Sequence, residues 1–148
     1  MKYFAPAGGV VLCLVGASLA WAQDGFMPKL ADLMGQTQLR HIKLWFAGKL
    51  GNWPLAGYEV GQIRSSLEDA AGLYRSIPVE AITITADPLQ RVTEAIAAKD
   101  STKFVNAYEG LTAACNACHI AVDRGFIVIQ VPTASPFVDQ SFKPGGKP

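Results

Sequence analysis

Near the C-terminal end of the chain, Phe104, Tyr108, Leu111, Cys115, Cys118 and Val122 recur at alternating spacings of four and three. That pattern constrains the fold more than any other feature. It traces one stripe on an α-helix, and a stripe so apolar must be buried against other helices. A strand would send alternate members of the set to opposite faces. Asp100 or Ser101 caps this segment, and it runs to about Arg124 before Gly125 stops it.

Three further helical segments precede it. The first runs from Pro28, a good first-turn residue, to about Ala47, with Leu30, Leu33, Met34, Thr37, His41, Leu44, Trp45 and Gly48 along one face. The second runs from about Leu55 to Tyr74, with Leu55, Tyr58, Ile63, Leu67, Ala70, Ala71 and Tyr74 facing inward. From Ser76 to Ala86 the Ile77-Pro78 pair and the β-branched run Ile82-Thr-Ile-Thr85 predict an extended loop. Asp87, Pro88 and Gln90 then form a capping arrangement for a third helix that ends near Lys99. From Phe126 the character changes: Phe126–Val131 is β-like, and Pro132, Pro136, Pro144 and Gly145-Gly146 forbid further helix. This tail is expected to lie along the surface, with its last residues disordered. Aromatics crowd the first turn region, with Trp45, Phe46, Trp53 and Tyr58 in or beside it. They read as a helix–turn–helix core, or alternatively as a hydrophobic cover for a cofactor. The expected fold is all-α: an antiparallel four-helix bundle over residues 23–125 with an irregular Pro-rich tail over 126–148.

Residues 1–22 read as a secretory signal peptide. Lys2 supplies the basic start, Val10–Ala20 the apolar run, and Ala20-Trp21-Ala22 the cleavage signal. The run is about half the length of a membrane-spanning helix, and no long apolar stretch follows, so no span is expected in the mature chain. Cys13 leaves with the leader; Leu12 before it argues against a lipid anchor. Removing Lys2 from 13 Lys+Arg leaves 12 against 12 Asp+Glu, and no basic stripe points to nucleic acid.

The mature chain keeps two cysteines, in Cys115-Asn116-Ala117-Cys118-His119. This is C-x-x-C-H, the attachment sequence for c-type haem. Residues three apart share a helix face, so both thiols reach the haem vinyl groups from one side, and His119 turns its imidazole to the iron as proximal ligand. A structural zinc site wants about four ligands, and a thioredoxin-type redox pair wants a βαβ setting. A plain Cys115–Cys118 disulfide would leave His119 unexplained. The export signal favours haem, which is attached outside the cytoplasm, and places the protein in the periplasm.

In layout the chain resembles the class II c-type cytochromes, the cytochrome c-prime family. The C-x-x-C-H motif of that family also lies on the fourth helix of a bundle, whereas most small c-type cytochromes carry theirs near the N-terminus. The resemblance spans about Met27 to Arg124 and is specific at Cys115, Cys118 and His119. It implies an antiparallel bundle with the haem between helices, often a homodimer. It also implies that the first helix faces the distal side of the iron. Met34 falls roughly where the family's distal residue does and is the first candidate for a sixth ligand. His41 is the rival, about 10 Å further along the helix axis; with neither, the iron is five-coordinate. Two features depart from the family: more than 20 residues follow the haem helix, and Asp123, with Arg124 next, stands where a basic residue near a haem propionate is common.

The expected function is electron transfer by one covalent haem c, with redox proteins as partners. The alternatives are a five-coordinate protein that binds a small gas such as nitric oxide, and a haem subunit docked on a larger redox complex through its tail. No nucleophile–base pair is visible, so no enzyme is expected.

Overall fold

The computed structural model describes residues 27–145. The leader expected over residues 1–22, the four residues 23–26 and the final residues 146–148 lie outside the described residues. The fold is all-α: α1 (Leu30–Lys49), α2 (Trp53–Leu73), α3 (Val79–Ala97) and α4 (Ser101–Ala121), with no strand among the described residues. Successive helices pack on one another, and α4 returns to α1, which is the pairing of a helix bundle. No helix among the described residues is long and apolar enough to cross a membrane.

The helix ends follow local chemistry. Asn52 caps α2 by accepting from Leu55 N–H, with Pro54 in the first turn. Asp100 caps α4 through Thr102 and Lys103 N–H. Three helices close in the same two-bond turn. At the end of α1, Gly51 N–H donates to Gly48 C=O and Asn52 N–H to Ala47 C=O. At the end of α3, Lys99 donates to Ile96 and Asp100 to Ala95. At the end of α4, Asp123 donates to Ile120 and Arg124 to His119. The pivot residue is left-handed each time: Gly51 at φ 72°, Lys99 at 52° and Asp123 at 58°.

The core joins Leu44 and Ala47 of α1, Val60 and Ile63 of α2, Leu89, Val92 and Ile96 of α3, and Phe104, Tyr108 and Leu111 of α4. Trp45 and Trp53 surround Phe104, so these aromatics pack the α1–α2 end of the core. Burial of these residues, at about 25 cal/mol per Å² of apolar surface, is the main force holding the helices together.

Three expectations from the sequence are corrected. Ser76–Ala86 is not an extended loop, because α3 begins at Val79 behind Pro78. The β-branched run is helical because Ala81, Thr85, Leu89, Val92 and Ile96 share one buried face, and burial outweighs a propensity difference of tenths of a kcal/mol per residue. Pro88 therefore lies inside α3 rather than at its start. On α2, Tyr58 is exposed beneath the Arg40 guanidinium, while Glu59 beside it is buried and paired with Arg40 at 3.2 Å. The tail is tied down rather than merely resting on the surface. Phe142 is buried against Phe46 and Phe137, and Asn52 Nδ2 donates to Lys143 C=O.

Candidate functional site

The apolar stripe of α4 changes along its length. Phe104, Tyr108 and Leu111 are fully buried, whereas Cys115, Cys118 and Val122 are only partly so. The helix face therefore opens where the two thiols stand. Both cysteines are free. Burial pushes the Cys115 thiol up to about 11, with the neighbouring Cys118 adding to the rise, and burial raises the Cys118 thiol as well. Both are held as neutral thiols at pH 7.

His119 lies in the last turn of α4, and its Nδ1 is 2.8 Å from the Ile127 carbonyl oxygen. A carbonyl only accepts, so Nδ1 carries a proton, and in the neutral ring Nε2 is the nitrogen with the lone pair. Three residues earlier, Asn116 makes two hydrogen bonds to one residue of the tail. Its Nδ2 donates to Ile129 C=O at 2.9 Å, and its Oδ1 accepts from Ile129 N–H at 2.7 Å. Arg124 donates to the carbonyl of Asp123, and both are exposed.

On α1, Met34 is half-buried and the next turn places Thr37 in the interior. His41 is buried, with both ring nitrogens engaged: Nε2 is 2.9 Å from Thr112 Oγ1 and Nδ1 is 2.8 Å from the Tyr108 hydroxyl. Thr112 Oγ1 also lies 2.9 Å from Tyr108 C=O and the Tyr108 hydroxyl 2.9 Å from His41 C=O, so the ring, the two hydroxyls and the two carbonyls form one closed hydrogen-bonded group. Burial lowers the His41 pKa to about 4 and raises that of Tyr108 well above its usual range, with Cys115 adding to the Tyr108 shift.

A cleft of about 370 Å³ lies between α1 and the tail, lined by Gln38, His41, Ile42 and residues 128–134. Neither cysteine nor His119 lines it. Among the described residues, no group of three or more His, Cys, Asp or Glu is placed to hold a bare metal ion.

The site thus brings Cys115, Cys118 and His119 together on one helix end and leaves His41 hydrogen-bonded within the core. Asn116, Thr112, Tyr108 and the Ile127 carbonyl were not legible as site residues. Asn116 stood inside the motif, but nothing local names a partner 13 residues away. No protein family, no curated protein and no solved structure matches this chain.

Proposed function

We propose that this chain is a periplasmic monohaem c-type cytochrome that carries electrons between redox proteins. Its fold would be an antiparallel four-helix bundle like that of the class II cytochromes, with an irregular Pro-rich tail. The observation that carries this reading is the state of His119. Its Nδ1–H is held by a backbone carbonyl, which makes Nε2 the nitrogen that can ligate, one residue from the second of two free thiols. A metal-ligating histidine characteristically has this arrangement.

The donor set suits haem c. The macrocycle brings its own four nitrogens, so one imidazole is sufficient, and two thiols one turn apart match thioether attachment. When bound, the group would supply a one-electron iron couple. The chain's own part is to hold it. Cys115 and Cys118 anchor it, His119 presents Nε2, and the apolar stripe that opens at Cys115 borders the site and lowers its polarity.

Register supports Met34 over His41 as sixth ligand. The contacts of Gly48 with Phe104 and of His41 with Thr112 advance in opposite directions along α1 and α4, as antiparallel helices require. Carried two turns further, the same register brings Met34 to the level of Cys118 and His119. His41 sits two turns away, and its nitrogens are occupied.

The test is the absorption and resonance Raman spectrum of the purified protein, ferric and ferrous, with and without nitric oxide. A covalent haem lost in Cys115→Ser/Cys118→Ser, with a low-spin spectrum and a methionine–iron charge-transfer band lost in Met34→Ala, is the expected result. A high-spin spectrum that responds at once to nitric oxide would replace electron transfer by gas binding. A chain that takes no covalent haem would overturn the whole reading.

A further inference from the structure

The tail does more than cover the bundle. At the end of α4, Arg124 N–H donates to His119 C=O at 2.7 Å and Asp123 takes the left-handed conformation, which reverses the chain. A second turn, Ile127 N–H to Arg124 C=O, completes the reversal. The chain then runs back along the face of α4 that bears Asn116 and His119. Residues three apart on a helix share a face, and residues two apart on an extended segment point their backbone groups to the same side. Ile127 and Ile129 therefore meet His119 and Asn116 respectively. The far end is held as well, by Phe142 in the core and by Asn52 on Lys143.

We infer that residues 126–131 form a proximal strap, and that Asn116 is the positioning residue that holds the Ile127 carbonyl on His119 by clamping Ile129. This rests on the haem reading above and deepens it. A single carbonyl–imidazole bond on an exposed turn is easily exchanged for water. Two bonds from one amide to the main chain of Ile129, two residues on, fix that carbonyl in place. The consequence is chemical. An acceptor on Nδ1–H raises the donor strength of Nε2 and favours the ferric over the ferrous ion. Asn116, a variable position of the attachment motif, would thereby tune the iron without touching it.

The experiment compares the full-length haem-loaded protein with Asn116→Ala and Asn116→Asp. The Ala variant is expected to exchange the Ile129 amide at least tenfold faster and, in a Met34→Ala background that leaves the ferrous iron five-coordinate, to lower the iron–histidine stretching frequency. It is also expected to favour the ferrous form about tenfold, a rise of about 59 mV for a one-electron couple. The Asp variant keeps an acceptor for Ile129 N–H and falls between. Fast Ile129 exchange in the unaltered protein would overturn the strap. So would an Ala variant that frees the tail yet leaves both stretch and potential unchanged. If the chain takes no haem, the functional reading fails separately. The strap is then judged in that chain by Ile129 exchange and by nitrogen NMR of His119, with Nδ1–H present in the parent and not fixed in Asn116→Ala.

Discussion

Gly48 packs directly on the ring of Phe104, so closely that a Cβ on Gly48 would overlap Cζ, Cε1 and Cε2. The ring has no room to withdraw, because Trp45, Trp53 and Tyr108 surround it and it is fully buried. A Gly→Ala change inside a helix ordinarily gains about 1 kcal/mol. At Gly48 overpacking wins, and Gly48→Ala is expected to lose about 2 kcal/mol in urea unfolding. Gly61→Ala and Gly110→Ala, with nothing within 4 Å, are expected to gain about 0.5–1 kcal/mol. Adding Phe104→Leu to Gly48→Ala should recover part of the loss; purely additive effects would show that the contact is not the cause.

His41 makes stability depend on pH. Its folded pKa of about 4 lies below the ordinary 6.5, so between these values the unfolded chain binds the proton more readily. The contribution is complete above pH 6.5, shrinks as pH falls, and is gone below about pH 4. The full span is about 3 kcal/mol. Urea unfolding of the parent and of His41→Gln from pH 7 to pH 4 should give curves that converge by roughly that amount. Parallel curves would refute the assignment.

Lys99 occupies a left-handed pivot, at φ 52°, that suits glycine. Lys99→Gly is expected to raise stability by about 1 kcal/mol, because it removes the Cβ strain and keeps both closing hydrogen bonds. Gly51→Ala, at the equivalent pivot of α1, is expected to lose a similar amount. Thermal unfolding of the two variants should move in opposite directions.

The two thiols differ in burial. Cys115 is nearly buried and held at about 11, whereas Cys118 is more open. In chain produced without haem-attachment machinery, a thiol reagent at pH 8 is expected to modify Cys118 at least tenfold faster than Cys115. Mass mapping of the labelled peptide reads the order. Equal rates would mean that burial does not separate the two thiols.

Much of the fold was legible because it is written in short-range pattern. The α4 stripe, its Asp100 cap and the helix count follow from spacings of three and four and from single capping residues. The start of α3 was misread, because Ile82-Thr-Ile-Thr85 is strand-like taken alone and is helical only because the neighbouring helices bury Ala81 and Thr85. Tyr58 and Glu59 traded places for a similar reason. Arg40, on another helix, sits over the tyrosine ring and pairs with the carboxylate.

The sequence by itself determined the chemistry available: two thiols and an imidazole on one helix end, at a spacing that backbone geometry turns into one cluster. The tertiary structure decided how each imidazole is used. His41 and His119 both lie on helices, and although the C-x-x-C-H motif singles out His119, nothing local sets the hydrogen bonds of either ring. Packing engages both nitrogens of His41 with α4 hydroxyls, while the returning tail engages only Nδ1 of His119. Hydrogen-bond partners 67, 71 and 8 residues away are chosen by the way the helices and tail come together, and that depends on the burial of the whole chain.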